Sequence, residues 1–276
     1  MNLAHVLAHL DQPRRCGKSY SAFCRAHEDR KRSLSFTPSD ERGLLFCFAG
    51  CSFPNILAAH GLKPADLLGA RTDVSGLSRE ERVRYARRLW ESSRKVSGTV
   101  AEKYLREARG ITVPLPHCLR FLPRLVHREF GWPFPALVAG IQDVAGEFTG
   151  VQVCYLSADG SDKAPVKVPR KTFGPARGGA VRLAPAANVL ALAEGIETAL
   201  SILQATGIPT WATLGTSNLA RVEFPDSVRT VIVAADHDPA GIKAAREAVQ
   251  TFLRRGLNVR VALPPDDAAD FNEVRL

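Results

Sequence analysis

Hydrophobic residues in the last third of the chain come in short runs, separated by stretches whose apolar positions recur at helical spacing. Runs of this length, rich in β-branched and small side chains, are typical of buried strands in a parallel sheet. The pattern predicts strands at residues 188–193, 209–213, 229–235 and 258–263, and helices at about 196–206, 217–221 and 239–255. This alternation is expected for a right-handed βα arrangement around a parallel sheet.

The first two thirds of the chain show a different pattern. Ser78 is followed three residues later by Glu81, which predicts a capping box at the start of a helix. Residues 135–156 form short β-like runs that predict a hairpin or meander, and residues 161–179 read as a basic loop punctuated by Pro and Gly. We therefore predict the α/β class (α+β overall), with segments 1–70, 77–186 and 187–276 joined by a linker near residues 69–76.

Charge is distributed unevenly along these segments. The net charge is +9, and residues 1–72 contribute +4, residues 73–186 contribute +8 and residues 187–276 contribute −3. A basic N-terminal part and an acidic C-terminal part are expected of a protein that binds a polyanion and holds a metal ion. The alternative is an ordinary solvated basic surface.

Composition excludes several classes of protein. No segment contains the roughly 18 uninterrupted apolar residues that span a bilayer, and the N-terminus lacks the basic start and long apolar core of a signal peptide. We therefore expect a cytoplasmic protein with no membrane partner. The chain has 6 cysteines in 276 residues, too few for a disulfide scaffold, and most of them lie before residue 52. That clustering favours a local metal site.

Cysteine and histidine occur in two pairs near the N-terminus. Cys24 lies three residues before His27, and Cys47 lies four residues before Cys51. Zinc takes four such ligands in a tetrahedron, and a pair on a tight turn supplies two of them. The spacing predicts a structural zinc site, whereas scattered thiols with a chance histidine are the alternative. The side chains expected to contact phosphates and bases around it are Arg25, Arg30, Lys31, Arg32 and Phe36.

Acidic residues follow two of the predicted strands where each strand ends. Glu194 follows the first strand, and Asp236 and Asp238 follow the third. Open α/β sheets bind ligands at the carboxyl ends of their strands. Three carboxylates would repel one another there unless a cation lay between them, and hard oxygen ligands suit Mg²⁺ or Mn²⁺. Helix N-capping by these acids is the alternative.

One motif suggests a function that we reject. Residues 16–19 end in the Gly-Lys-Ser of a P-loop, but Gln12 occupies the position of the required upstream glycine. We also expect no strand before this motif. The sequence therefore predicts neither an ATPase nor a helicase motor.

These motifs together resemble a known family. Residues 193–201 (AEGIETALS) and 235–241 (ADHDPAG) resemble the Toprim domain that bacterial-type primases, topoisomerases and some nucleases share. The Cys and His pairs resemble the zinc ribbon of primases, and residues 86–179 resemble the basic N-terminal half of the primase core. In the order of its motifs the chain is most similar to Toprim primase-like proteins of phages, plasmids and mobile elements.

The resemblance implies a DNA primase that makes short RNA primers on single-stranded DNA from nucleoside triphosphates, with a replicative helicase as a further partner. It implies that Glu194, Asp236 and Asp238 are catalytic and hold Mg²⁺ or Mn²⁺. Of the late acids Asp266, Asp267 and Asp270, it favours Asp270 as a further metal ligand. Candidate cations for the triphosphate and DNA are Arg120, Lys163, Lys167, Arg170, Lys171 and Arg177.

The chain departs from the family at the zinc pairs, where Arg25 replaces a common proline and one extra residue separates Cys47 from Cys51, and also in the Toprim motif, which leaves alternatives open. Thr198 stands where primases often carry an aspartate, and the nearby acid is Glu197, expected on a different face of the helix. A Toprim nuclease would use the same metal chemistry with water as the nucleophile. A zinc-containing DNA-binding protein with a catalytically silent Toprim domain is the third possibility, whereas a topoisomerase is disfavoured by the short chain.

Overall fold

The computed structural model describes residues 3–38, 43–67, 78–127, 129–265 and 268–274. The chain forms two compact units, one of residues 1–75 with 126–133 and one of residues 76–125 with 134–276. Most of the predicted linker at 69–76 lies outside the described residues, and the division into three segments stays a prediction. Within the described part of the chain, no helix is long and apolar enough to cross a membrane.

The first unit is built on an antiparallel sheet. Its strands, which lie in the order β1-β2-β3-β4, are β1 (Asp11–Cys16), β2 (Ser19–Phe23), β3 (Leu34–Thr37) and β4 (Leu44–Cys47). The helical elements are α1 (Leu3–His9), α2 (Phe53–His60) and a 3₁₀ turn at Pro64–Leu67. Ser52 caps α2 by accepting a hydrogen bond from the Asn55 N–H, and Gly61 ends the helix in the left-handed conformation.

The P-loop-like motif forms the turn between the first two strands. Cys16 pairs with Ser19 across a two-residue connection, in which Gly17 has a φ of 63°. The expectation that no strand precedes the motif was wrong, because β1 runs directly into it. The motif leads into a second strand and not into the helix that a P-loop requires, so the turn is not a phosphate-binding loop.

The second unit begins with a capped helix and an antiparallel sheet. Helix α3 (Arg79–Glu91) starts with the predicted capping box between Ser78 and Glu81. Helix α4 (Val100–Lys103) continues into a π-helical turn at Tyr104–Ala108. The strands, in the order β5-β6-β7-β8-β9, are β5 (Arg94–Lys95), β6 (Leu119–His127), β7 (Trp132–Gln142), β8 (Phe148–Tyr155) and β9 (Arg170–Phe173).

This sheet confirms one expectation and corrects another. Strands β7 and β8 form the predicted hairpin. Residues 161–179, however, are not loop throughout, because β9 pairs antiparallel with β8 and brings Arg170 opposite Cys154. The strand adds hydrogen bonds to an existing sheet edge, which fixes a segment of three basic or polar residues and Phe173 that has no hydrophobic pattern of its own.

The C-terminal sheet follows the prediction to within one or two residues at each boundary. Its strands lie in the order β10-β12-β11-β13-β14, with β10 antiparallel to β12 and the other neighbours parallel. The elements are β10 (Val181–Arg182), β11 (Val189–Ala193), α5 (Ile196–Thr206), β12 (Thr210–Ala212), α6 (Thr216–Leu219), β13 (Thr230–Ala234), α7 (Pro239–Arg254) and β14 (Asn258–Ala262).

Helices cover both faces of this sheet. Ala191 and Ala193 belong to one hydrophobic core, with the buried side of α5, and Leu190 and Leu192 belong to another, with the buried side of α7. A strand buried on both faces needs apolar side chains at successive positions, which explains its unbroken hydrophobic run. The first polar side chain after β11 is Glu194, so the end of the run places a carboxylate at the carboxyl edge of the sheet.

Candidate functional site

The acidic edge, which comprises Glu194, Asp236, Asp238 and Asp270, is assembled by two neighbouring strands. Strands β11 and β13 are hydrogen-bonded in parallel, with Leu192 opposite Val233. Glu194 follows the first of them, and Asp236 lies two residues beyond the second. Both carboxylates are partly buried, and the negative charge of Glu194 helps to raise the pKa of Asp236.

Electrostatics at the acidic edge are unfavourable without a cation. Burial, followed by the charges of Glu194, Asp270 and Asp238, raises the pKa of Asp236 to about 6. Burial and the charge of Asp238 also raise the pKa of Glu194, although Arg170 opposes the shift. The Oδ1 atom of Asp236 is buried and has no hydrogen-bond partner among the described residues. Carboxylate oxygens that repel one another, one of which accepts no hydrogen bond from the described residues, suit a hard divalent cation such as Mg²⁺ or Mn²⁺.

Two of these acids also have local structural contacts. Asp238 caps α7, because its Oδ1 accepts a hydrogen bond of 2.6 Å from the Gly241 N–H. The Oδ1 atom of Asp270 accepts a hydrogen bond of 2.7 Å from the Asn272 N–H. The N-capping interpretation is therefore correct for Asp238, but it accounts for neither Glu194 nor Asp236. Asp266 and Asp267 lie outside the described residues.

Metal binding at the acidic edge is expected to weaken as the pH falls through about 6. The pKa of Asp236 is raised to about 6 in the metal-free protein, so below that value a proton competes with the cation for this carboxylate. We predict that Mn²⁺ affinity drops about tenfold for each pH unit below this value. Isothermal titration with Mn²⁺ between pH 5 and 8 measures the effect, and an affinity that does not change with pH would contradict the assignment.

Cations from the preceding sheet lie beside the acidic edge. Arg170 donates to Glu197 over 3.3 Å between Nη2 and Oε2, and Lys163 Nζ lies 4.0 Å from Glu197 Oε1. Arg170 is also close enough to lower the pKa of both Glu194 and Asp236 by its positive charge. The structure therefore brings Arg170 together with two of the predicted carboxylates, whereas Lys163 contacts only Glu197 among the described acidic residues.

The other cations predicted for nucleotide or DNA have varied surroundings. Lys167 and Arg177 are exposed and Lys171 is partly buried. Arg120 donates a hydrogen bond of 2.6 Å to the Ser93 carbonyl, and its guanidinium lies 4.9 Å from the centre of the Trp90 ring. These contacts give Arg120 a structural role, and the functional role of each of these four residues stays a prediction.

A metal-binding cluster lies in the first unit. One ligand atom each from Cys24, His27, Cys47 and Cys51 lies within 4.8 Å of the others. Cys24 follows β2 and Cys47 ends β4, so the sheet brings the two sequence pairs together, and Gly50 adopts a φ of 88° in the second turn. Three thiols and an imidazole form a donor set typical of structural zinc.

The sequence did not indicate that Asp29 orients the turn that carries Cys24 and His27. The buried carboxylate of Asp29 accepts hydrogen bonds of 2.8 to 2.9 Å from the Cys24, Lys31 and Ser33 N–H groups and from the Ser33 hydroxyl. Against the effect of burial, these donors hold the pKa of Asp29 well below its usual range. An aspartate in a polar loop carries no sequence signal for this role, because the loop must fold before its N–H groups converge.

Asp29→Asn is expected to lower zinc affinity by about 10- to 100-fold, since an amide cannot accept hydrogen bonds from all of these donors. Competition with a chromophoric zinc chelator measures the change. Glu28→Gln is the matched control, because Glu28 is exposed and pairs only with Arg30 among the described residues. Equal zinc affinity in both variants would show that Asp29 does not support the site.

Aromatic side chains near the zinc cluster lie where the sequence did not place them. Phe36 was expected to contact bases, but it is fully buried in the core of the first unit. Phe46 and Phe48 are instead 57% and 75% exposed, and their ring centres are 5.1 Å apart. Residues 44–48 are apolar at every position, so both faces of β4 carry apolar side chains, although only one face packs into the core. This run of the sequence could have indicated that some of these side chains are exposed.

The predicted basic residues of this unit differ in their contacts. Arg30 pairs with Glu28 at 2.6 Å, and Lys31 is exposed. Arg32 lies 4.6 Å from the centre of the Phe23 ring and donates to Gln12. Their contact with DNA stays a prediction.

Comparisons with known proteins agree with this organisation. Residues 189–276 match the family described as Toprim domain, and residues 80–183 match a family described as a domain of unknown function. The search of curated proteins returned no match.

Among solved structures the chain is similar to several primases. One is the primase fragment of the bacteriophage T7 primase-helicase protein, at 20% identity over 66% of this chain and 68% of that chain, with a TM-score of 0.43. Another is the Aquifex aeolicus primase (zinc-binding and RNA polymerase domains), at 18% identity over 99% of this chain and 79% of that chain, with a TM-score of 0.44. A third is a DNA primase domain from Pseudomonas aeruginosa, at 15% identity over 70% of this chain and 74% of that chain, with a TM-score of 0.47. The match to the Toprim family thus covers the C-terminal sheet with the acidic edge, and the first unit carries a Cys and His cluster that could hold zinc.

Proposed function

We propose that the protein is a DNA primase, which synthesises short RNA primers on single-stranded DNA by metal-dependent nucleotidyl transfer. One observation carries the proposal: Arg170 lies beside the acidic edge, and both Arg170 and Lys163 contact Glu197 three residues after Glu194, so carboxylates for metal ions and cations for phosphates occur close together. A nucleotidyl-transfer site needs both, because the incoming triphosphate and the metal ions must be held together.

Each group has a role in this reaction. Glu194, Asp236 and Asp238, with Asp270 as the fourth, would hold Mg²⁺ or Mn²⁺, which polarises the attacking 3′-hydroxyl and the phosphate when bound. Arg170 and Lys163 bind the triphosphate oxygens and offset their charge, and Lys167, Lys171 and Arg177 extend the same basic segment. Arg120, on β6 of the same sheet, is a further candidate.

The first unit supplies the contact with template DNA in this proposal. The exposed rings of Phe46 and Phe48 offer surfaces on which bases stack, while Arg30, Lys31 and Arg32 contact phosphates. Structural zinc holds the two turns from which these side chains project. A replicative helicase would be the partner that delivers the template.

An assay that follows labelled oligonucleotides, plasmid nicking and DNA binding in parallel tests the proposal. The full chain is incubated with labelled ribonucleotides, circular single-stranded DNA and supercoiled plasmid, with Mg²⁺, Mn²⁺ or a chelator. A primase yields metal-dependent labelled oligonucleotides and leaves the plasmid intact. Metal-dependent nicking without nucleotides would identify a nuclease instead, and DNA binding with no product under any condition would identify a silent Toprim protein.

A further inference from the structure

Glu197 is the acid at which this chain departs from the pattern of related sequences, and its surroundings give it a definite role. It lies in the first turn of α5, three residues after Glu194, and it is 5% exposed. A carboxylate this deeply buried needs partners for its charge and its oxygen atoms. Its contacts therefore decide what it can do.

Both oxygen atoms of Glu197 are already engaged. Oε1 accepts a hydrogen bond of 2.7 Å from the Tyr104 hydroxyl and lies 4.0 Å from Lys163 Nζ. Oε2 accepts a hydrogen bond of 3.3 Å from Arg170. Burial alone would raise the pKa of Glu197, but the charges of Arg170 and Lys163 and the Tyr104 hydroxyl hold it below the usual value, so the group is ionised at neutral pH. A metal ion would have to displace these donors.

Tyr104 is held in place by a neighbour of its own. Burial, followed by the charge of Glu197, raises the pKa of Tyr104 far above its usual value, so the phenol is a neutral donor. Arg109 donates to the Tyr104 oxygen over 3.0 Å and forms an ion pair of 2.7 Å with Asp162. The contact from Tyr104 to Glu197 therefore belongs to a connected and largely buried network, which limits the movement of the carboxylate.

Arg170 extends from Glu197 to the acidic edge. A Cβ atom placed on Gly195 would lie 3.7 Å from Glu197 Oε2 and 3.9 Å from Arg170 Nη1. One end of the guanidinium thus meets Glu197 while the other lies against the backbone of the residue that follows Glu194. The side chain is 38% exposed, and that of Lys163 is 27% exposed, so both cations remain accessible to an anion.

Loss of the Glu197 carboxylate would change this arrangement. Arg170 would lose the acceptor of its hydrogen bond and Lys163 would lose its ion-pair partner. Neither cation would then be held in one position for a phosphate.

We propose that Glu197 is a positioning residue, which holds Arg170 and Lys163 in place for the phosphates of a nucleoside triphosphate bound at the acidic edge, and that it is not a metal ligand. The inference rests on the proposed function, since it assigns a role within the same site. It adds that Glu197 positions the cations that bind the substrate, whereas Glu194 and Asp236 bind the metal ion.

Two equilibrium titrations of the full chain test the proposal. In Glu197→Gln, the dissociation constant for ATP with Mg²⁺ is expected to rise about tenfold, the effect of a lost charge-assisted contact. The affinity for Mn²⁺ without nucleotide, followed by electron paramagnetic resonance, is expected to stay within about twofold. Tyr104→Phe keeps every charge and loses the two hydrogen bonds of the phenol, of which only one reaches Glu197, so its ATP affinity should fall by only about threefold.

Further variants separate positioning from damage to the fold. Glu197→Asp keeps the charge but shortens the side chain by one methylene, so we expect it to bind ATP with intermediate affinity. This variant still tests the proposal if the Glu197→Gln protein fails to fold. The triple variant Glu197→Gln/Arg170→Gln/Lys163→Gln should bind ATP no more weakly than Arg170→Gln/Lys163→Gln, because Glu197 acts through these two cations. In primer synthesis the loss should appear in KM, with kcat changed less than about threefold.

The outcomes distinguish this inference from the proposed function. A Glu197→Gln protein that loses Mn²⁺ binding would make Glu197 a metal ligand and overturn the inference. Unchanged ATP affinity in a folded Glu197→Gln protein would overturn the inference alone. A wild-type chain that binds no nucleoside triphosphate would overturn both this inference and the proposed function.

Discussion

Asp236→Asn is expected to abolish primer synthesis while leaving the protein folded and able to bind DNA. Asn keeps the size of the side chain but removes the charge and one carboxylate oxygen at the position whose Oδ1 has no protein partner. Metal ions supply several kcal/mol of transition-state stabilisation in such reactions, so we expect a loss on the order of a thousand-fold in rate. Product formation on single-stranded DNA and Mn²⁺ titration are measured on the same preparation.

The same substitution is expected to stabilise the metal-free protein. The pKa of Asp236 is raised to about 6 from 3.8, so the folded state binds a proton more tightly than the unfolded state does. The favourable contribution of the protonated group is present at low pH and is lost as the pH rises through about 6. At pH 7 the ionised carboxylate therefore costs stability, and its removal should raise the free energy of unfolding by about 1 to 2 kcal/mol in chelator.

Asp226→Asn is the matched control, since Asp226 is an exposed aspartate of the same unit. It should change neither activity nor stability. Primer synthesis that persists in Asp236→Asn at more than a tenth of the wild-type rate would contradict the catalytic role of the acidic edge. A loss of activity together with a lower free energy of unfolding would indicate a structural defect instead.

Cys47→Ser is expected to remove zinc and unfold the first unit. Cys47 ends β4 and is 1% exposed, so its sulfur belongs both to the metal cluster and to the core. Structural zinc contributes roughly 10 to 16 kcal/mol of apparent binding free energy in small zinc modules, which exceeds the stability of a typical domain. The variant should contain less than about a tenth of an equivalent of zinc, because three ligands hold the ion weakly.

Proteolysis provides the structural readout for this prediction. In Cys47→Ser, cleavage should appear within residues 1–75 while the second unit stays protected. Cys16→Ser is the control, because Cys16 is an exposed thiol of the same sheet and lies outside the ligand cluster. Full zinc content in Cys47→Ser, or equal zinc loss in both variants, would exclude the proposed ligand set.

The sequence was sufficient for the C-terminal sheet and for the four zinc-cluster residues because both leave local patterns. A strand buried on both faces shows as an apolar run, and Glu194 ends such a run directly. The two Cys and His pairs are recognisable from their spacing alone. In each case neighbouring positions in the sequence carry the signal.

Other features depend on contacts between distant residues, so no local pattern shows them. Strand β9 forms because β8 offers an open edge, although residues 170–173 are mostly polar. Glu197 was expected on a different face of α5 from the usual second acid, but its contacts with Tyr104, 93 positions earlier, and with Arg170 and Lys163 explain how a buried carboxylate is tolerated there. Asp29 acquires its role in the same way, through N–H groups that converge only after folding.

Template-directed incorporation of nucleotides is the most direct test of the central claim, that the acidic edge with Arg170 and Lys163 is a nucleotidyl-transfer site for primer synthesis. Wild-type protein and Asp236→Asn are incubated with single-stranded DNA templates of defined sequence, one labelled ribonucleotide at a time, and Mg²⁺ or Mn²⁺. We predict that the wild-type protein forms oligonucleotides only from nucleotides complementary to the template, and that the variant forms none. Incorporation that ignores the template, or that continues at the wild-type rate in Asp236→Asn, would contradict the account.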